Sequence, residues 1–209
     1  MKLRLPDCSR SSHCSVLAFV PVKRVIATIA LATLASGCVI SVDEVVPDHV
    51  STFDPRLLGT WRGAPDSTDR AIVSRASDKG NTYAITFTDD EKPSKFEGRL
   101  GRLGGRMVLD VWPVPNERDV AEPYRGLLVP GHFLLVIDVE TDSLWTATLS
   151  VTEMRKAIQS GILRLDTLPY NRQMVLRGTT TELRASLSAY IGRPGALDKP
   201  ELWRRIRRR

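Results

Sequence analysis

The sequence is poor in the side chains that build metal sites and covalent catalysts. It has three cysteines and three histidines in 209 residues, whereas a zinc site usually needs three or four His, Cys or acidic ligands. The G-x-S-x-G and H-E-x-x-H motifs are absent, and so is a glycine-rich loop that could hold a phosphate group. We therefore expect a protein that is not an enzyme and that uses neither a cofactor nor a metal ion.

A hydrophobic run of membrane-spanning length is missing from the N-terminal region. The uncharged, mainly apolar segment there covers only residues 25–37, whereas a transmembrane helix needs about 20 such residues. Two basic residues precede this segment, and small residues end it at Leu-Ala-Ser-Gly-Cys, residues 34–38. This order is typical of a secretory signal, so we predict a signal peptide over residues 1–37. In the alternative interpretation, residues 25–40 form a buried strand or helix and Cys38 is a small core residue.

The segment that ends at Cys38 resembles the lipobox of bacterial lipoproteins, with Ala35 where leucine is commonest in that family. The resemblance implies that the chain is cut before Cys38 and that this cysteine becomes an acylated amino terminus. Residues 1–21 are unlike the start of a signal peptide, so we expect translation to begin near Val22. The mature chain would then be exported without a disulfide and anchored to the cell envelope through Cys38. Because Val39 is not the aspartate that resembles an inner-membrane retention signal, the periplasmic face of the outer membrane is the expected location in a two-membrane cell.

The charge distribution argues against a nucleic-acid partner. The chain has a formal net charge of +6, of which +4 lies before Cys38, so the mature chain carries only about +2. Five of the last six residues are arginines, and the remainder is therefore slightly acidic. The basic tail has two interpretations, namely charges that complement a helix C-terminus or a contact with anionic lipid head groups.

The body of the chain alternates short apolar runs with turn signals, which predicts antiparallel strands. We predict a tether over residues 38–52, a β-domain over residues 53–178, and C-terminal helices with the basic tail over residues 179–209. The predicted strands cover residues 60–63, 71–76, 83–88, 96–102, 107–112, 133–139, 144–149 and 173–178. The proline-rich segment 113–131 is expected to form a long loop over one end.

Three helices are predicted late in the chain. Ser150 and Thr179 each stand three residues before a glutamate, which is the capping-box pattern of a helix start. A third start is predicted at Asp198, before Leu202, Trp203 and Ile206.

The segment Phe-Asp-Pro-Arg-Leu-Leu-Gly-Thr-Trp, residues 53–61, resembles the entrance of lipocalin-like (calycin) domains. The resemblance implies a mainly β fold, an antiparallel up-and-down barrel with one or two C-terminal helices. It also implies that Gly59 and Trp61 belong to a motif that closes one end, with an arginine of the last strand stacked on the tryptophan. Arg177, at the end of the last predicted strand, is the expected arginine. Such a contact contributes about 0.5–2 kcal/mol.

A barrel of about eight strands either packs solid or holds one small ligand. Two non-enzymatic functions therefore remain open for a membrane-anchored lipoprotein. The domain either binds a small apolar ligand or an envelope protein, or it is a filled scaffold or inhibitor that acts through its surface.

An envelope hydrolase is a remote alternative, in which His132 would have to act as the base. The structural interpretation of His132 is a side chain at the end of a strand that bonds to backbone. Two acidic groups, residues 89–91 and 138–142, fall on predicted turns, where carboxylates bond to nearby backbone groups. A paired acid/base site or a weak calcium loop is the alternative for these groups.

Overall fold

The described residues form eleven strands and two helices; eight of the strands and both helices lie where they were predicted, whereas the strands at residues 39–41, 166–170 and 201–206 were not predicted. The computed structural model describes residues 38–63, 67–76, 80–89, 92–114, 131–170 and 173–206. The strands are β1 (Val39–Ser41), β2 (Gly59–Arg62), β3 (Arg70–Arg75), β4 (Thr82–Asp89), β5 (Lys92–Leu103), β6 (Arg106–Pro113), β7 (His132–Val139), β8 (Ser143–Thr148), β9 (Asp166–Tyr170), β10 (Gln173–Arg177) and β11 (Glu201–Ile206). The helices are α1 (Val151–Gln159) and α2 (Thr180–Tyr190), and 3-10 turns cover Asp48–Val50 and Pro55–Leu57.

Eight of the strands close into an antiparallel barrel. Strands β2 to β8 pair in chain order, and β11 lies between β8 and β2. Strand β6 pairs with both β5 and β7, so the ring has no free edge. The predicted mainly β barrel with C-terminal helices is therefore confirmed.

The third predicted helix is wrong, because residues 201–206 form the last strand of the barrel. Leu202 pairs with Trp145 of β8, and Arg205 pairs with Trp61 of β2. A strand between β8 and β2 satisfies its backbone groups on both sides, whereas a one- or two-turn helix would leave the barrel open. The predicted division at residue 178 is also wrong, since the barrel extends to Ile206.

The predicted tether at residues 38–52 is wrong as well. Val39–Ser41 forms β1, which pairs in parallel with β10 and in antiparallel with the beginning of β7. Val45 and Val46 are 1% and 0% exposed. The apolar residues that resemble an irregular linker in the sequence are thus buried against the outside of the barrel.

Two hydrophobic cores result from this arrangement. Strand β6 buries both faces, with Leu109 and Val111 in the barrel interior and Val108 in the outer core. The outer core lies between the barrel wall, the segment that begins with β1, and the two helices. Its helical contribution includes Met154, Leu183 and Leu187, which are fully buried.

The two predicted helix starts differ in their caps. Thr179 forms the full capping box with Glu182, and backbone hydrogen bonding from Thr179 lowers the pKa of the Glu182 carboxyl. Helix α1 begins after Ser150 as predicted, but the Ser150 side chain makes no cap hydrogen bond.

Some predictions fall outside the described residues. These are the signal peptide over residues 1–37, most of the proline-rich loop (residues 115–130), and the last three arginines. Within the residues that are described, no helix has the length and apolar character needed to span a membrane.

Candidate binding site at the open end of the barrel

The strand registers define two different ends of the barrel. The turns at residues 104–105 and 140–142 lie at the same end as the 3-10 turn Pro55–Leu57. We call this the closed end. At the other end, β2, β4 and β6 end and β3, β5 and β7 begin, and we call it the open end.

Trp61 fills the closed end. Its side chain is 0% exposed, and its indole N–H donates to the carbonyl oxygen of Leu57 over 2.9 Å. The guanidinium of Arg205 lies 4.2 Å from the centre of the Trp61 ring. Arg205 also donates to the carbonyl oxygens of Leu58 (2.5 Å), Arg56 (2.5 Å) and Thr141 (2.7 Å). The Arg205 side chain of β11 therefore connects the start of β2, the 3-10 turn Pro55–Leu57 and the turn between β7 and β8.

Gly59 is needed for this closure. Its φ of +134° is a conformation that side chains rarely adopt, and an added Cβ would lie 2.5 Å from Nη1 of Arg205. The Gly-x-Trp spacing thus leaves room for the guanidinium over the indole.

The predicted partner of Trp61 was Arg177, and this prediction is wrong. Arg177 lies at the end of β10, outside the barrel, where its side chain is 53% exposed and 3.4 Å from the carboxylate of Asp166. The physical reason is topological, because the arginine must come from the strand next to β2, and that strand is β11 rather than β10.

A second aromatic layer supports the closed end. The rings of Phe53 and Tyr83 stack with centroids 4.9 Å apart, and the guanidinium of Arg75 lies 4.1 Å from the Phe53 ring. The backbone N–H of Asp54 donates to the Tyr83 hydroxyl, and that hydroxyl donates to the Asp54 carbonyl oxygen. Burial raises the pKa of Tyr83. A hydrogen bond from the Arg56 side chain lowers the pKa of the neighbouring Asp54 carboxyl.

The open end has a different character. Several apolar side chains that belong to the inner core are half-buried there, whereas the closed end combines the completely buried Trp61 and Tyr83 with the half-buried Phe53 and Leu58. Those on the barrel wall are Ala71, Ile85, Phe96, Leu135 and Trp203. Phe87 is also half-buried, and its ring meets the Trp203 ring edge-on with centroids 6.1 Å apart.

Trp203 is held in place by its polar atom. Its indole N–H donates to the hydroxyl of Thr146 on the neighbouring strand over 3.2 Å. Because this hydrogen bond satisfies the only polar group of the indole, the rest of the ring is available for apolar contacts. The open end therefore carries aromatic and aliphatic side chains of the inner core.

The structural interpretation of His132 expected a bond to backbone, but the side chain contacts a carboxylate instead. Its Nδ1 lies 2.9 Å from Oδ1 of Asp110, a carboxylate that is 0% exposed on the outer wall. The other oxygen of Asp110 accepts the backbone N–H groups of Val45 and Val46 over 2.6 and 2.8 Å. This buried carboxylate thus fixes the N-terminal segment to the barrel.

Ser41 lies directly opposite His132 in the pairing of β1 with β7, so a serine, a histidine and an aspartate are neighbours. The Ser41 hydroxyl, however, donates to the carbonyl oxygen of Asp43 over 2.9 Å. A nucleophile needs its proton directed at the base. This geometry serves the attachment of residues 41–46 rather than a reaction, and the hydrolase interpretation gains no support from it.

The acidic groups behave as turn residues where they are described. The Ser143 hydroxyl donates to the Glu140 carboxylate within the turn between β7 and β8. Asp89 is the exposed last residue of β4, whereas residues 90–91 lie outside the described part. In the portion of the chain that the structure covers, no group of three His, Cys or acidic residues is placed to hold a metal ion.

The open-end surface could not have been assigned from sequence alone, because it depends on which strand neighbours which. A comparison of the chain with protein-family models, with curated proteins and with solved structures gives no match.

Proposed function

We propose that this chain is an exported lipoprotein, anchored in the cell envelope through acylated Cys38, whose barrel binds a small apolar ligand at its open end. The proposal joins the lipobox-like segment before Cys38 with the chemistry of the barrel. Cys38 is exposed and unpaired at the start of the described residues, as an anchor site requires. Two or three acyl chains, at about 0.8 kcal/mol per buried methylene, would hold the protein firmly in a membrane.

The single observation that carries ligand binding is the group of half-buried apolar side chains at the open end of the barrel. At the closed end, Trp61 and Tyr83 are 0% exposed. At the open end, Ile85, Phe87 and Trp203 face the interior but remain half-buried. Half-buried apolar side chains around the mouth of a closed barrel are the ordinary lining of a site for an apolar molecule.

A filled barrel that acts as a scaffold or inhibitor is the second candidate. The observation in its favour is an outer wall that carries exposed apolar side chains, with Ile72 50% and Trp145 40% exposed. Exposed apolar residues on a barrel wall are suited to contact with a partner protein.

Tryptophan fluorescence separates these two candidates. The chain has four tryptophans, of which Trp203 lies at the open end and Trp145 lies exposed on the outer wall. On titration with long-chain fatty acids or isoprenoids, we expect saturable changes in the emission of the wild type and of Trp145→Phe. We expect most of this change to be lost in Trp203→Phe, which removes the reporter from the site.

A wild-type protein without any response would favour the filled barrel. A response that persists in Trp203→Phe but disappears in Trp145→Phe would place the ligand on the outer wall and contradict the proposed site. Intact-mass measurement of the membrane-extracted protein tests the anchor, with a polypeptide that begins at an acylated Cys38 as the expected product.

A further inference from the structure

The barrel carries a three-stranded extension, formed by β1, β10 and β9, at the beginning of β7. Strand β1 pairs with β7 at Ile40 and Phe133, strand β10 pairs with β1, and β9 is the outermost strand. One face of the extension is buried in the outer core through Val39, Met174 and Leu176, each at most 6% exposed.

The opposite face of the extension carries a row of apolar side chains. Directly paired residues of neighbouring strands point to the same face of a sheet. Phe133 pairs with Ile40, Ile40 pairs with Val175, and Val175 pairs with Leu168. We call these four residues the apolar row.

The exposure of the apolar row increases with distance from the barrel. Val111, which pairs with Phe133 on the barrel side, is 7% exposed and belongs to the inner core. Phe133, Ile40 and Val175 are half-buried, and Leu168 is 47% exposed. The row is therefore an outward continuation of the barrel lining, and it leaves the barrel at the open end.

The anchor point lies beside this row. Cys38 is two residues before Ile40, and its carbonyl oxygen accepts the backbone N–H of Met174 over 3.0 Å. Because Cys38 is hydrogen-bonded to the extension itself, no flexible linker separates it from the apolar row. Two residues span at most about 7 Å even when fully extended, so acyl chains on Cys38 would leave the protein next to Ile40.

We propose that the apolar row is the surface with which this protein rests on the bilayer that holds its own acyl chains. This inference depends on the proposed acylation of Cys38. Three features support this occupant. The anchor point is only two residues from the apolar row, the row ends in an exposed leucine, and the row continues the barrel lining. The orientation places the open end of the barrel toward the membrane, which is the source of apolar molecules in an envelope.

The test compares two exposed apolar positions that are matched in exposure. Leu168 is 47% exposed at the outer end of the apolar row, and Ile72 is 50% exposed on β3 of the barrel wall. Leu168→Trp and Ile72→Trp are prepared in the full chain, extracted from membranes, and reconstituted in phosphatidylcholine vesicles with or without brominated acyl chains. The emission of the parent protein is subtracted, and circular dichroism confirms that both variants are folded.

Brominated chains quench tryptophans that enter the membrane. We expect the emission added by Leu168→Trp to be quenched at least twofold more strongly than that added by Ile72→Trp. Equal quenching at the two positions, or stronger quenching at Ile72→Trp, in a protein whose acylation is confirmed by intact mass would overturn the orientation alone. A protein that carries no acyl chain would overturn the anchor and this orientation together, whereas the fluorescence titration of the open end would still decide ligand binding.

Discussion

Replacement of Arg205 by alanine should open the closed end of the barrel. The substitution removes three hydrogen bonds to carbonyl oxygens and the contact with the Trp61 ring. With about 0.5–1.5 kcal/mol for each hydrogen bond and about 0.5–2 kcal/mol for the cation–π contact, we expect a loss of about 3 kcal/mol in the free energy of unfolding. Arg205→Lys should recover only part of this loss, because an ammonium group cannot reach three separated carbonyl oxygens with a planar set of donors.

Arg177→Ala is the matched control for this prediction. Arg177 is also the last residue of a strand that the sequence suggested as the end of the barrel, but its ionic contact is an exposed pair with Asp166. Exposed ion pairs contribute about 0.2–1 kcal/mol, so we expect Arg177→Ala to lose less than about 1 kcal/mol. Urea unfolding followed by circular dichroism measures both variants. A loss in Arg205→Ala as small as that in Arg177→Ala would refute the role of Arg205 in closure.

Other predictions follow from single groups. Asp110→Ala should lower the free energy of unfolding by about 3 kcal/mol, because two buried backbone N–H groups lose a charged acceptor. Asp110→Asn should lower this free energy by less, and equal decreases in the two variants, measured by urea unfolding, would contradict this assignment. Gly59→Ala should destabilise the protein by at least about 1 kcal/mol, since the positive φ and the crowding against Arg205 both oppose a Cβ; an unchanged melting temperature would disprove it. Burial raises the pKa of Tyr83 and Tyr190 in the folded state, so stability should be complete below the unfolded tyrosine pKa of about 10 and should fall as the pH rises above it. Tyr83→Phe should flatten this alkaline decline in urea curves taken at several pH values.

The barrel strands were largely predictable because their alternation is local. Tyr83 and Ile85 belong to the inner core and alternate along β4 with the outward-facing Ala84 and Thr86, so the alternation in the sequence matches the directions of the side chains. Short hairpins fix which strand follows which in such a meander. The general architecture could therefore be inferred from residues close together in the chain.

The final strand could not be predicted in the same way. Residues 201–206 contain Leu202, Trp203 and Ile206, whose spacing suits a helix, and the segment is too short for alternation to decide. Its conformation is determined by the exposed edges of β2 and β8, which are far away in the sequence. Because this strand was predicted as a helix, Arg177 rather than Arg205 was predicted to stack on Trp61.

The attachment of the N-terminal segment had one signal in the sequence. Asp110 is the only charged residue in the apolar run Met-Val-Leu-Asp-Val-Trp, residues 107–112. A carboxylate in a strand buried on both faces requires hydrogen-bond donors. The sequence does not indicate that these donors come from Val45 and Val46, because that contact joins segments more than 60 residues apart.

Native mass spectrometry of the protein extracted gently from cell membranes tests the central claim most directly, namely that the open barrel holds an apolar molecule. We predict a polypeptide that carries one non-covalent small-molecule adduct, with the adduct released when the barrel is unfolded. A polypeptide that is free of any adduct under conditions in which the barrel remains folded, together with an absent fluorescence response, would contradict the account.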